Sequence, residues 1–201
     1  MILLGLFIFF IFLLAYFRKK GIRDQEAVET TFWNRENEAN HTRRKDISGL
    51  PYITIPSEIF SIGSVSDDII ANALHSLEAL QEKKILNLGG QSNTDLKMQY
   101  GPANLPSLME YDQNYTDMLL AITTLVNRLI ELEQTELAIP VLEFSIATGT
   151  DISTHYTLLA THYKNNGQAD KIADLKEQAE KLNSLMKQAI IQKITDIETA
   201  S

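Results

Sequence analysis

The sequence predicts an all-α protein: an N-terminal transmembrane helix, a juxtamembrane helix and extended strap, and then an antiparallel helical-repeat body. Three observations carry this. The first seventeen residues, MILLGLFIFFIFLLAYF, hold no charge and are almost wholly apolar. From Tyr111 onward, apolar residues recur at helical spacing of three and four through segment after segment. Proline and glycine gather in two places ahead of that region, near 49–63 and 86–108, and a further strand pattern is missing. The expected organisation is an anchor at 1–17, a basic flank and polar helix at 18–47, a strap, helix and connector at 48–110, and the body at 111–201.

The apolar run would cover about 25 Å as a helix, a minimal span against a hydrocarbon core of about 30 Å. Snorkelling by Arg18, Lys19 and Lys20 can make up the difference. A cleavable leader carries its positive charge before the apolar run; here the charge follows it and no A-x-A site appears. Phe, Ile and Leu cover every face, which makes a buried core helix the poorer reading. The positive-inside rule places RKK and Arg23 in the cytoplasm. The expected location is therefore the cell membrane, crossed once, with the N-terminus outside and the body cytoplasmic. The inverted topology would instead make the body an envelope-facing assembly factor. With no cysteine, the chain suits a reducing compartment.

Residues 24–44 read as a polar helix with a thin stripe of Val28, Phe32 and Ala39, with Trp33 beside it, that either lies near the lipid interface or docks on the main body, packing being the preferred reading. RRK at 43–45 marks its C-terminal end, where cations meet the helix dipole. Pro51 and Pro56 restrict YITI to an extended strap that lays Tyr52, Ile53, Ile55 and Phe60 over helices. Ser66-Asp67-Asp68 is an N-terminal cap, and Ile69, Ile70, Ala73, Leu74, Leu77 and Leu80 extend a helix to about Lys84. KILNL is a short extended or turn segment. Ser92 or Asn93 caps a brief helix that Gly101 ends and Pro102 cannot continue.

The body begins with a long helix over 111–134, with Met118, Ile122, Leu125, Leu129 and Leu132 in register. TELAIPVLEFSIATG gives a second helix that tolerates Pro140. Asp151 or Ser153 caps a third, which ends at Gly167. Residues 168–194 give a fourth, broken near Asn183.

A shift of 34 residues superimposes Leu125 on Leu159, Leu129 on Tyr163, Ala138 on Ile172 and Ser145 on Ala179. The unit YTLLATHYKNNGQADKIADLKEQAEKL, with Tyr156, Leu159, Ala160 and Tyr163 in its first helix and Gly167 in its turn, resembles a tetratricopeptide repeat. The resemblance covers about 115–182. It implies a stack of helix pairs whose groove binds an extended peptide or another protein. Some members clamp a terminal carboxylate with Lys, Arg and Asn; Arg128, Lys164 and Asn165 are the only approach to that set. The whole is also similar to single-pass bacterial membrane proteins, a likeness that brings no activity with it.

The connector around 86–108 holds three glycines and two prolines among Asn, Ser, Thr and Asp. It lacks the G-x-x-x-x-G-K-[ST] order of a phosphate loop. It reads as a structural corner whose Asn and Asp cap helices, with Asn93, Asp95, Tyr100, Asn104, Tyr111 and Asp112 as candidate partner contacts beside Tyr156 and Tyr163 of the repeat. The rival reading makes 87–112 a small-molecule or hydrolytic site. His155 and His162 would sit on one helix face about 10 Å apart along the axis, too far for one metal ion, and read as surface residues. No nucleophile motif, metal set or cofactor motif is present, so neither an enzyme nor a cofactor is expected. Residues 101–201 carry 7 Lys/Arg against 14 Asp/Glu, which repels phosphate backbones and excludes nucleic acid as partner. The expected partners are the membrane, through residues 1–17, and an unidentified protein.

Overall fold

The N-terminal apolar run and the polar stretch behind it form one helix, because residues 2–40 hold no proline and only two glycines, Gly5 and Gly21. Helix α1 runs from Ile2 to Asn40 in a computed structural model, a length of about 58 Å at 1.5 Å per residue. The structure describes residues 2–200, with the side chains of 2–6, 8, 11, 15, 22–24, 26, 27 and 64 outside the described set. Among the described residues no helix is long and apolar enough to cross a membrane; the span expected at 1–17 falls in large part on residues outside that set. The juxtamembrane helix expected at 24–44 is not a separate element, and α1 stops four residues sooner, so Arg43, Arg44 and Lys45 follow its end rather than form it. All regular structure among the described residues is helical.

Two compact units divide the chain, Met1–Ile47 with Ser92–Leu105 and Ser48–Gln91 with Pro106–Ser201. In the first, the short helix α2 (Asn93–Tyr100) packs on α1. Arg35 pairs with Asp95, and Glu36 accepts from Lys97 and from Thr94 Oγ1 at 2.7 Å. Ala39 and Leu96 are buried. Of the stripe that the sequence assigns to packing, Ala39 lies in this contact, whereas Val28, Phe32 and the neighbouring Trp33 are each more than half exposed. The helix face that docks is set by Arg35, Glu36 and Ala39.

The second unit begins with the strap. It is extended as far as Pro56 and then winds into a 3-10 turn, Ser57–Ser64, that buries Ile59 and Ile62 beside Ile55. Helix α3 (Asp68–Glu78) is shorter than its apolar pattern, and Ile69 points outward. Asp67 caps it: Oδ1 accepts from the amides of Ile69 and Ile70, while Oδ2 accepts from Arg128 at 3.0 and 2.7 Å. Helix α4 (Leu105–Glu131) starts six residues before the sequence expectation, because Pro106 fits a first turn that needs no amide donor. Then follow α5 (Thr135–Ala147), α6 (Ser153–Asn165), α7 (Ala169–Glu180) and α8 (Lys187–Thr199). The break near Asn183 is therefore real. Neither Asp151 nor Ser153 caps α6; its N-cap is Ile152, whose amide donates to Thr150 Oγ1.

The 34-residue recurrence is visible in the backbone. After α4, Gln134 N–H donates to Leu129 O at 2.8 Å and Glu133 N–H to Ile130 O at 3.0 Å. After α6, Gln168 N–H donates to Tyr163 O at 2.8 Å and Gly167 N–H to Lys164 O at 3.0 Å. This is one Schellman turn made twice, with the left-handed residue at Glu133 (φ 59°) and Gly167 (φ 67°). Helices α6 and α8 begin and end 34 residues apart, so α8 is a third first-helix. Ile122, Tyr156 and Ile190 occupy one buried register and Val126, Ala160 and Ile194 the next. In the second helices Ala138, Val141 and Ser145 match Ile172, Leu175 and Ala179. Helix α8 packs on both α6 and α7. Where the first two copies bury Leu125 and Leu159, α8 carries exposed Lys193, the polar exchange a capping helix needs.

Glu133 holds a conformation that costs a residue with Cβ about 1 kcal/mol relative to glycine. Glu133→Gly is expected to raise stability by about 1 kcal/mol, and Gly167→Glu to lower it by at least as much. Urea midpoints at unchanged m-value measure both.

Candidate functional site

The connector is built from ordinary cap and turn chemistry. Ser92 is the N-cap of α2: its Oγ accepts from the Asp95 amide at 3.2 Å, and Asp95 Oδ2 accepts back from the Ser92 amide at 3.0 Å. Those bonds from Ser92, with Arg35 beside it, hold the Asp95 carboxyl below its ordinary range. Asn93 opens the helix and is exposed. Asn104 is buried with every side-chain group used: Nδ2 donates to Lys45 O at 2.8 Å and Tyr100 O at 2.7 Å, and Oδ1 accepts from Arg44 Nε at 3.1 Å. The single Tyr100 carbonyl accepts from the Lys45 amide and from Asn104 Nδ2. These four candidates belong to the first unit, and Asp95, Tyr100 and Asn104 hold α2 to the end of α1 and the residues that follow it.

The other four belong to the second unit. Asp112 Oδ1 accepts the Leu88 amide at 3.0 Å, and Tyr111 O accepts that of Leu86 at 3.1 Å. The Tyr111 ring meets Tyr52 edge to face at 5.7 Å, with the Lys84 ammonium 4.8 Å from one ring centre and 5.6 Å from the other. Asn87 Nδ2 donates to Tyr115 Oη and to the carbonyls of Thr148 and Gly149 at 3.0–3.1 Å. Residues 84–91 are thus stitched between the start of α4 and the α5–α6 turn. A Cβ at Gly90 (φ 78°) would lie 2.5 Å from Asn183 O, so glycine is required there for both space and φ. The eight candidates do not converge on one pocket. All but Asn93 make structural contacts.

The tyrosines of the repeat are likewise engaged. Tyr156 is buried and donates to Thr150 O at 2.9 Å; burial raises its hydroxyl to about 12. Tyr163 donates to Glu143 Oε1 at 2.6 Å, and Lys171 reaches the same oxygen at 3.2 Å while lying 4.9 Å over the Tyr163 ring. Burial alone would raise the Glu143 carboxyl, but the bonds from Tyr163 and Lys171 outweigh it and hold it low.

The histidine expectation needs correcting. His155 is 1% exposed and sits between three helices, with Nδ1 2.8 Å from Ser145 Oγ on α5 and Nε2 3.0 Å from Thr123 Oγ1 on α4. Burial lowers its pKa to about 4. A neutral ring bridging two hydroxyls satisfies all three side chains, which makes it a polar clasp in the core. Sequence reading missed it because Thr123 and Ser145 are 32 and 10 residues away. The signal available was its place on the buried face, one residue before Tyr156. Ser145 is sealed from solvent, and no carboxylate orients the ring, so the pair lacks what a nucleophilic dyad needs. His162 is half-buried, with Glu136 at 3.8 Å. Among the described residues no group of His, Cys, Asp and Glu is placed to hold a metal ion.

The residues nearest a carboxylate clamp are committed elsewhere. Arg128 serves Asp67 and Glu131, and Lys164 donates to the carbonyls of Ile197 and Ala200 at the end of α8. Comparison with protein-family models, with curated proteins and with solved structures returned no significant match.

Because His155 stays neutral in the folded state down to about pH 4 while an unfolded histidine protonates near 6.5, the unfolded chain binds the extra proton between those values. Stability is therefore lost as pH falls through that window, by about 2 kcal/mol between pH 7.5 and 5. His155→Gln should remove this part of the pH slope, read from urea midpoints at the two pH values. Gly90→Ala, which meets backbone and strained φ together, is expected to cost about 2 kcal/mol or more in the same assay.

Proposed function

We propose that this chain is a membrane-tethered protein–protein interaction module without enzymatic activity. The observation that carries the reading is the 34-residue recurrence: two closed Schellman turns in equivalent places, with α8 as a third first-helix. Stacked helix pairs present extended surface for their length, which suits binding better than chemistry. The likeness of residues 115–182 to tetratricopeptide repeats points the same way, with one difference. Arg128 and Lys164 are occupied internally, so the module does not read a terminal carboxylate.

The tether is α1. Phe7, Phe9, Phe10, Phe12, Leu14 and Phe17 are each more than half exposed, an arrangement that water disfavours and a bilayer rewards. Arg18, Lys19 and Lys20 follow at once and set the body on the cytoplasmic side. Confinement to a surface raises the local concentration of any membrane partner, so modest affinity suffices.

The test is crosslinking on native membranes through a C-terminal tag, with protease access to the tag in intact cells. A protected tag with a recurrent protein partner supports the reading; an accessible tag, or a chain crosslinked to nothing, counts against it. The tether has its own check. The full chain is expected to sediment with membranes after carbonate washing. Phe9→Arg with Phe12→Arg, at about 2.5–3.5 kcal/mol per charge near a span's centre, should move most of it to the supernatant.

A further inference from the structure

We propose that α2 is a salt-sensitive latch on the end of α1. Its charged first half is the catch and opens as a local event, while the neutral bonds behind its C-terminus stay closed as a hinge and the second unit stays folded. The latch is independent of what the helical body binds.

Helix α2 is eight residues long, below the roughly 12 residues at which an isolated helix becomes even marginal in water. Its capping box closes the first turn but adds no length. Docking on α1 therefore supplies what holds it helical. That docking buries little. Among the described residues, Ala39 and Leu96 are the only apolar side chains of α1 and α2 that are buried. The apolar cluster of the second unit, from Ile55 to Ile194, contains neither of them. A segment with so few buried apolar contacts opens at low free energy and without the core of its neighbours.

The remaining ties differ in kind along the helix. In its first half they are charged: Arg35 pairs with Asp95, and Glu36 pairs with Lys97 while accepting from Thr94 Oγ1 at 2.7 Å. Each helix gives one cation and one anion, so the pairs fix register more than they add adhesion. Arg35 and Asp95 are 55% and 37% exposed, open to screening by salt. Lys97 and Glu36 are 17% and 18% exposed, so removing either partner leaves the other charge half-desolvated. Behind the C-terminus the bonds run through neutral groups. The Lys45 amide donates to Tyr100 O at 3.0 Å, and Asn104 Nδ2 donates to Lys45 O at 2.8 Å. Salt screens the first set and spares the second, which separates catch from hinge.

The test is amide hydrogen exchange on the full chain in nonionic detergent, resolved by fragmentation in the mass spectrometer. It compares about 0.1 M with about 1 M KCl, between which the screening length falls from about 10 Å to about 3 Å. Amides 96–101 are expected to exchange about fivefold faster at the higher salt, relative to those of α4–α8, while the Lys45 amide keeps its protection. Glu36→Lys, which sets like charge against Lys97, should give the fast exchange already at the lower salt. Glu36→Lys together with Lys97→Glu should restore protection, a rescue that a merely space-filling Glu36 would not show. Exchange at 96–101 that ignores salt overturns the latch, and so does protection that survives Glu36→Lys. Acceleration shared by Lys45 overturns the hinge, and with it the proposal. Acceleration shared by α4–α8, or a Glu36→Lys chain that unfolds throughout, shows that the opening is not local and overturns it as well.

Discussion

A helix hairpin of this length cannot bury its apolar face alone, and that constraint organises the second unit. Helix α6 shows it most clearly. Tyr156, Leu159, Ala160 and Tyr163 all lie within its thirteen residues and all are buried, which requires cover from several sides. Helices α5, α7 and α8 supply it. The two Schellman turns set how each hairpin folds back, and the second succeeds at lower cost because glycine stands where the first carries Glu133. Lys193 and the capped C-terminus of α8 then turn the outer face of the stack toward water.

Polar side chains within this stack fix orientation rather than add adhesion. His155 joins α6 to α4 and α5 with one neutral ring, a task no apolar side chain performs. Asn87 does the same for the connector, spending its amide hydrogens on the α5–α6 turn. Asp67 uses one oxygen on the start of α3 and the other on Arg128. Each buried polar group is matched, and among the described residues none is left without a partner. Sites of chemistry usually leave something unmatched for a substrate to satisfy. In the connector, Asn87, Ser92, Asp95 and Asn104 are engaged in caps and turns.

Much of this architecture was legible in the sequence, and the failures share a cause. Asp67, Ser92 and Gly101 act through neighbours within four residues, so local spacing reveals them. The 34-residue register is legible for the same reason, since it is set by helix and turn lengths. His155, Asn104 and Tyr163 take their roles from partners 10–60 residues away, and no local pattern carries that. The cap of α6 was misassigned because Asp151 is drawn off by Ser184 Oγ at 2.5 Å, leaving Thr150 to serve the helix start. Val28, Phe32 and Ala39 have the spacing of a packed stripe, yet the docked helix covers only the last of them, where the small side chain allows closer approach.

The cations of the repeat explain what the body shows to a partner. Arg128, Lys171, Lys176 and Lys181 each pair with a carboxylate of the same unit, Lys164 serves the end of α8, and Lys193 serves Ser153. Six of the seven basic residues after Gly101 are thus committed within the chain, while acidic residues there outnumber them two to one. The carboxylates left over after this pairing carry the acidic balance of the body. Such a surface attracts basic segments over about 10 Å at physiological salt and repels nucleic acid and anionic headgroups alike. The basic residues at 18–20 stand apart on α1, beside the apolar run. The chain thus separates two charge regimes along its length: a cationic flank at 18–20 beside the apolar run, and an acidic helical body.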